Sequence, residues 1–170
     1  MRSIFRLFPW LILLGSALLS GCSWFSSAPE IPPQQRRIEL RVVTTPHINP
    51  GANGQAQPLK LCIVELNSEG WSPSGLYQGT LCSGINTGAE VVSVTEYMLT
   101  PLEERRYLRE VPFEQERWWA IAAEFQDMSN GKGFLTFKSD ARDDFSRVIF
   151  VDGKNLSLEA ITEQKVLKDK

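Results

Sequence analysis

The sequence predicts an all-β domain: a two-sheet antiparallel β-sandwich, carrying one short helical or irregular excursion. Three observations lead there. Apolar and polar residues alternate with period two in one segment after another, as strands with one buried face require. Gly, Pro, Asn and Asp gather between those segments, where turns need them. No stretch carries the longer repeat of an amphipathic helix.

The first residues of this 170-residue chain stand apart from that pattern. Arg2 and Arg6 form a basic head, and residues 7–19 are apolar except for Pro9, Gly15 and Ser16. Leu19-Ser20-Gly21-Cys22 closes the run. A basic head, an apolar core and small residues before a cut are the parts of a secretory signal. The ending resembles the lipobox of bacterial lipoproteins, whose cysteine takes up diacylglycerol and becomes the mature N-terminus. That resemblance implies a signal peptide over 1–21 and an acylated Cys22. Several acyl chains bury far more methylene than the single chain that binds membranes only marginally. Ser23 follows Cys22, not the aspartate that resembles an inner-membrane retention signal. The expected location is the outer membrane, with the domain facing the periplasm.

Cleavage before Cys22 leaves 149 residues, enough for one well-buried domain. Without Arg2 and Arg6 there are 16 basic and 20 acidic side chains, a net charge near −4. No basic block interrupts that balance, so nucleic acid is excluded as a partner class. Nothing after Leu19 is apolar for long enough to cross a bilayer, which makes lipid the expected attachment.

Residues 22–35 read as a lipidated tether, with serines and with Pro29, Pro32 and Pro33 resisting regular structure. Trp24 and Phe25 fit either the headgroup layer or a plain linker. The sandwich is expected over 36–161. In its first strand Ile38, Leu40 and Val42 alternate with Arg37, Glu39 and Arg41. Residues 45–57 break the pattern with Pro46, Asn49-Pro50, Gly51 and Asn53-Gly54, and Asn-Gly suits positive φ. Strand LKLCIVEL follows over 59–66. Residues 67–89 are irregular, with Trp71, Pro73 and five glycines, and fit one helical turn near Leu76. Strands resume at 90–99, rich in β-branched residues, and at 104–111, a charged segment suited to a sheet edge. In 117–125, Trp119, Ile121, Ala123 and Phe125 share one face. Trp118, Ala120, Ala122 and Glu124 share the other, which suggests a central strand facing a second layer. Short strands at 133–138 and 146–151, an Asp152-Gly153 hairpin turn and a strand at 155–161 complete the domain. Residues 162–170 form a polar tail.

Chemistry is sparse. His47 is the one histidine and sits in a turn-rich loop, away from any nucleophile arrangement. Asp140, Asp143 and Asp144 cluster, but Arg142 lies among them and the spacing is not that of a calcium loop. No catalytic residue, metal site or cofactor is expected, and no glycine-rich phosphate cradle is present. Cys62 and Cys82 are the expected disulfide, since unpaired thiols are a liability in an oxidising compartment. The alternative is two reduced thiols, one packed as a small hydrophobe.

Several segments, taken in order, resemble one family. Asn49, Pro50, Gly54 and Pro58 fit the pattern NP-x-x-x-G-x-x-x-P, and the strand after them ends in Leu66. Tyr97-Met98-Leu99-Thr100-Pro101 is similar to a strand leading into a Pro-Gly-Glu turn, and 121–127 to a segment ending in Ala-Phe-Arg. Behind a lipobox, these resemble the TssJ family (SciN/VasD type) of type VI secretion outer-membrane lipoproteins. Leu102 departs from glycine, Gln126 from arginine and Cys62 from arginine. Residues 67–89 also lack the family's phenylalanine-rich pattern.

The resemblance implies a transthyretin-like sandwich with no enzymatic activity. It further implies binding to the periplasmic C-terminal region of a TssM/IcmF-type inner-membrane protein, with a TssL-type protein reached indirectly. The implied contact is the first inter-strand loop: Thr45, Pro46, His47, Ile48, Asn49, Pro50, Gly51, Ala52, Asn53, Gly54, Gln55, Ala56 and Gln57. A rigid sandwich can present such a loop without disturbing its core. The competing reading is a periplasmic peptidoglycan- or glycan-binding module, which needs an exposed aromatic platform such as Trp118 with Trp119.

Replacing Cys22 with serine should abolish acylation and membrane attachment while the soluble domain still folds. Mass spectrometry and membrane fractionation check this, and an unmodified wild-type Cys22 would refute it.

Overall fold

The computed structural model describes residues 34–129 and 131–160. The expected signal peptide, Cys22, the tether up to 33 and the 162–170 tail lie outside the described residues. Eight strands follow in chain order: β1 (Gln35–Thr44), β2 (Leu59–Leu66), β3 (Val91–Leu99), β4 (Glu104–Pro112), β5 (Arg117–Glu124), β6 (Phe134–Ser139), β7 (Phe145–Asp152) and β8 (Asn155–Ala160). Each end falls within one residue of its expected place, and Gln35 belongs to β1 rather than to the tether. The strands make two four-stranded sheets, ordered β4-β1-β7-β8 and β3-β2-β5-β6.

The expected two-sheet sandwich is present, with every strand pair antiparallel except one in the first sheet. β1 is antiparallel to β4 but parallel to β7. Chain direction explains it. β6 runs antiparallel to β5 and finishes at Ser139, opposite Arg117. That is the end where β1 starts, since the Arg36 guanidinium donates to the Ser139 carbonyl at 3.2 Å. After the short 140–144 connection, β7 sets out from the same end as β1 and runs alongside it.

The inward faces build one core. Ile38, Leu40 and Val42 of β1 meet Leu59, Leu61 and Ile63 of β2, Trp119 and Ile121 of β5, and Ile149 and Val151 of β7. Trp119 is fully buried, edge-on to Tyr107 with centroids 5.8 Å apart. Its indole N–H donates to Ser139 Oγ at 3.0 Å, which satisfies the polar end of a buried ring.

A second cluster lies outside the sandwich. The outward residues Cys62, Val64 and Leu66 of β2 and Ala120 and Ala122 of β5 pack under Leu81 and Cys82 of the excursion, flanked by Trp71, Leu76 and Ile85. β5 is thus a central strand, as its sequence suggests, and its alanine face carries a cover of its own. Of the two forms expected for this cover, helical or irregular, it takes the irregular one, built from successive tight turns around Leu76. Leu76 N–H bonds Pro73 O, Gln78 N–H bonds Gly75 O and Ser83 N–H bonds Thr80 O, each at 3.1 Å. Glycines explain why no helix forms. Gly79 and Gly84 adopt φ of 74° and 69°, which turns the chain off any right-handed helical path. A Cβ at Gly75 would stand 2.2 Å from the Thr80 carbonyl oxygen.

Three fastenings hold the cover. Cys62 and Cys82 form a disulfide with Cα atoms 5.7 Å apart, an ordinary span for the bond. Cys82 N–H donates to Glu124 Oε1 at 2.9 Å. Asn67 closes the base, its backbone N–H on Glu90 O and its side-chain amide on Ala89 O.

Converting Cys62 and Cys82 together to alanine should lower the unfolding free energy by about 3 kcal/mol, as expected for a closed loop of this size. Protease sensitivity should rise within 67–90 while the sheet signal in circular dichroism persists. Equal melting of variant and wild type would show that packing alone holds the cover.

Candidate functional site

The 45–57 loop leaves β1 at the end of the sandwich opposite residue 34. Its base is tied on two sides. The Thr44 hydroxyl donates to Thr100 O at 2.7 Å and accepts the Glu103 N–H at 2.7 Å. Thr45 donates its N–H to Val151 O at 3.0 Å and its hydroxyl to Asp152 Oδ1 at 2.8 Å. The loop therefore rises between the β3–β4 turn and the β7–β8 hairpin.

Asn49 governs its shape. The residue is buried, with φ of 45°, a region asparagine tolerates better than most residues. Its amide donates to Pro58 O at 2.8 Å and its side-chain oxygen accepts the Gln126 N–H at 2.8 Å. Its backbone N–H donates to Gly153 O at 2.8 Å. One side chain thus links the loop to the start of β2 and to the segment after β5. Ile48 is fully buried beside it and belongs to the core. Beyond them the loop narrows through Gln57 N–H to Ile48 O and Gly51 N–H to Gln55 O. Asn53 caps the Gln55 N–H at 3.1 Å, and Gly54 makes the reversal with φ of 76°.

The expected contact residues accordingly divide. Pro46, His47, Ala52, Asn53, Gly54 and Gln55 are exposed, whereas Thr45, Pro50, Gly51, Ala56 and Gln57 are half-buried. Ile48 and Asn49 reach no surface and act as frame. Beside the tip lies an open cleft of 460 Å³ lined by Pro50, Gly51, Ala52, Gln126, Asp127 and Lys154. Lys154 pairs with Asp127. Its hydrogen bond, then those from the Ser129 hydroxyl and N–H, hold the Asp127 carboxyl far below the usual carboxylate range. Glu103 is also lowered, chiefly by the Thr100 N–H it accepts at 2.6 Å. Sequence reasoning placed Gln126 and Asp127 in a segment of family resemblance without joining them to the loop, and it gave Lys154, beyond the hairpin turn, no signal at all.

The remaining candidates do not converge. Asp144 accepts the Arg37 N–H at 2.7 Å and Asp140 pairs with Lys138 at 3.2 Å, so these two carboxylates are engaged separately. No group of His, Cys, Asp and Glu among the described residues is arranged to hold a metal ion. Trp119 is buried and Trp118 half-buried, so the pair makes no aromatic platform for a glycan.

The fold is thus a two-sheet sandwich with a firmly clamped loop at one end. The chain belongs to the type VI secretion lipoprotein family described as T6SS-SciN (VasD, EvfM, TssJ, VC_A0113), which matches residues 36–154. That is a family of secretion-system lipoproteins and not of enzymes. Similar solved structures include the type VI secretion lipoprotein TssJ1 from Pseudomonas aeruginosa, at 22% identity and TM-score 0.63, covering 76% of this chain and 98% of that one. Serratia marcescens Lip, a membrane-bound component of the type VI secretion system, follows at 15% identity and TM-score 0.62, covering 76% and 100%. A chain from the structure of the TssM C-terminal domain from EAEC aligns at 17% identity and TM-score 0.54, covering 74% and 99%. At these identities the structures attest the fold. No curated protein matches the chain.

Asn49→Ala should cost about 2–3 kcal/mol, from two lost side-chain hydrogen bonds and a poorer fit to positive φ. Urea unfolding measures this, and hydrogen exchange should quicken over 50–57. A variant as stable as wild type would remove Asn49 from its role as clamp.

Proposed function

We propose that acylated Cys22 anchors this protein in the outer membrane and that its clamped 45–57 loop binds the periplasmic C-terminal region of a TssM/IcmF-type inner-membrane protein. Through that protein it reaches a TssL-type component indirectly, so that the type VI membrane complex is tied to both membranes for effector delivery. The observation that carries this reading is the polarity of β1. Its ten residues lead from the tether side of the sandwich to the loop, a path of about 30 Å at strand rise. A domain lipidated upstream of β1 thus presents its loop at the far end. Family membership supports the system, and the similar chain in a TssM structure supports the partner.

The exposed tip supplies the contact and the buried frame supplies its shape. A preformed loop loses little conformational freedom on binding, which favours affinity. His47→Asp and Ala52→Arg change exposed positions, so melting should move little. Affinity for the partner's periplasmic region should fall roughly 10-fold or more, as for disrupted central contacts. Calorimetric titration beside a thermal melt tests the pair. Native-like melting with unchanged affinity in both variants would place the interface elsewhere.

A further inference from the structure

Among the described residues, three other than glycine hold positive φ: Asn49 at 45°, Leu102 at 60° and Arg142 at 71°. Steric contact makes this region unfavourable for residues with a Cβ, least so for asparagine. For two of the three the fold offers compensation. Asn49 makes the hydrogen bonds already described. Arg142 donates its N–H to Phe113 O at 2.7 Å and its Nε to Glu114 Oε2 at 2.7 Å. Leu102 has no comparable return: its apolar side chain cannot hydrogen-bond and is 75% exposed.

The turn itself does not need leucine. Thr100-Pro101-Leu102-Glu103 places proline second and a positive φ third, the arrangement in which glycine serves without steric penalty. Glu103 keeps the turn in one shape by accepting the Thr100 N–H at 2.6 Å and hydroxyl at 2.8 Å. Leucine is therefore held rigidly at a tip, in a strained backbone, facing solvent. Strain without a structural purpose points toward a functional one.

Its position suits that purpose. Thr44, the residue just before the 45–57 loop, bonds both Thr100 and Glu103, so turn and loop share one base. Met98, 59% exposed, lies one residue before the end of the strand that leads into this turn.

We propose that Leu102 inserts into an apolar socket on the same periplasmic partner that the 45–57 loop meets. The β3–β4 turn is then the second half of one binding surface. The inference rests on the proposed function and names a specificity-determining residue within it. A rigid apolar tip that is already exposed in the free protein meets its socket with little ordering.

Leu102→Gly and Leu102→Asn separate this from a purely structural role. Both relieve the backbone, while both remove the apolar tip. Using the detergent-solubilised lipoprotein and the full-length TssM/IcmF-type protein, binding should weaken about 10-fold in each variant. Melting of the glycine variant should instead rise by about 2–4 °C. Affinity and stability moving in opposite directions supports the anchor. Unchanged affinity in both variants, with Ala52→Arg still weakening the complex, overturns the anchor and leaves the loop reading standing. Absence of binding by wild type overturns both. Light scattering that finds a Leu102-dependent dimer of the free lipoprotein would reassign the corner to self-association and reject the socket.

Discussion

β2 is buried along nearly its whole length on both faces, and the rest of the architecture follows from covering it. A two-sheet sandwich offers such a strand one apolar neighbour, on the inner face. Cys62, Val64 and Leu66 point the other way and need a third layer. The chain supplies it from the β2–β3 connection, which in an ordinary hairpin would run two to five residues. Burying side chains the size of Val64, Leu66 and Leu81 contributes about 1.5–3 kcal/mol each. Their sum exceeds the roughly 3 kcal/mol expected of the disulfide. Packing is thus the larger force, and the bridge has a different part. A cover built from turns has no ladder to set its position, and a bond from Cys82 to the middle of β2 fixes it over the alanines.

The two ends of the sandwich are closed by different chemistry. At the end where β1 starts, Glu65 is 2% exposed between Arg109 at 3.0 Å and Arg117 at 3.1 Å, with the Ser93 hydroxyl donating at 3.0 Å. Desolvating a carboxylate costs several kcal/mol unless its oxygens are matched, and here both are. Arg109 belongs to β4 in one sheet and Arg117 to β5 in the other, so the carboxylate ties the sheets across their gap. Arg36 does the same from β1, donating to Gln115 O at 2.9 Å and to Ser139 Oγ at 3.1 Å. At the loop end the equivalent brace is the neutral amide of Asn49. Two neutral hydrogen bonds tie less strongly than charged ones, and they sit below a tip that remains largely in water.

Alternation made the strands legible, because a face in the core and a face outside it leave a period of two in the residues themselves. It also marked β5, with its alanines beside bulky rings, as a central strand. What it concealed were residues that break the pattern for a local reason. Glu65 has the parity of Leu59, Leu61 and Ile63, and Arg36 that of Ile38 and Leu40. A charged residue at the margin of an apolar stripe reads as the place where a strand leaves the core. Burial depends on partners from β4, β5 and β6, which lie far along the chain. The parallel β1–β7 pair was hidden for the same reason: register between distant strands is settled by which end of the sandwich a connection leaves from. The excursion was read as helical or irregular because Leu76 lies among residues compatible with either, and the positive φ of Gly79 and Gly84 decided it.

The loop shows why the fold of this family is easier to recognise than its contacts. The residues that carry the resemblance are the ones that make the frame. Asn49 is the buried clamp, Pro58 provides the carbonyl it grips, and Gly54 provides the left-handed reversal. None of these needs to touch a partner to be indispensable to the shape. The positions left in water that hold none of these contacts are Pro46, His47 and Ala52. Substitution there leaves the frame intact, because their side chains bear little of the fold. A motif of this kind therefore specifies how the loop is presented.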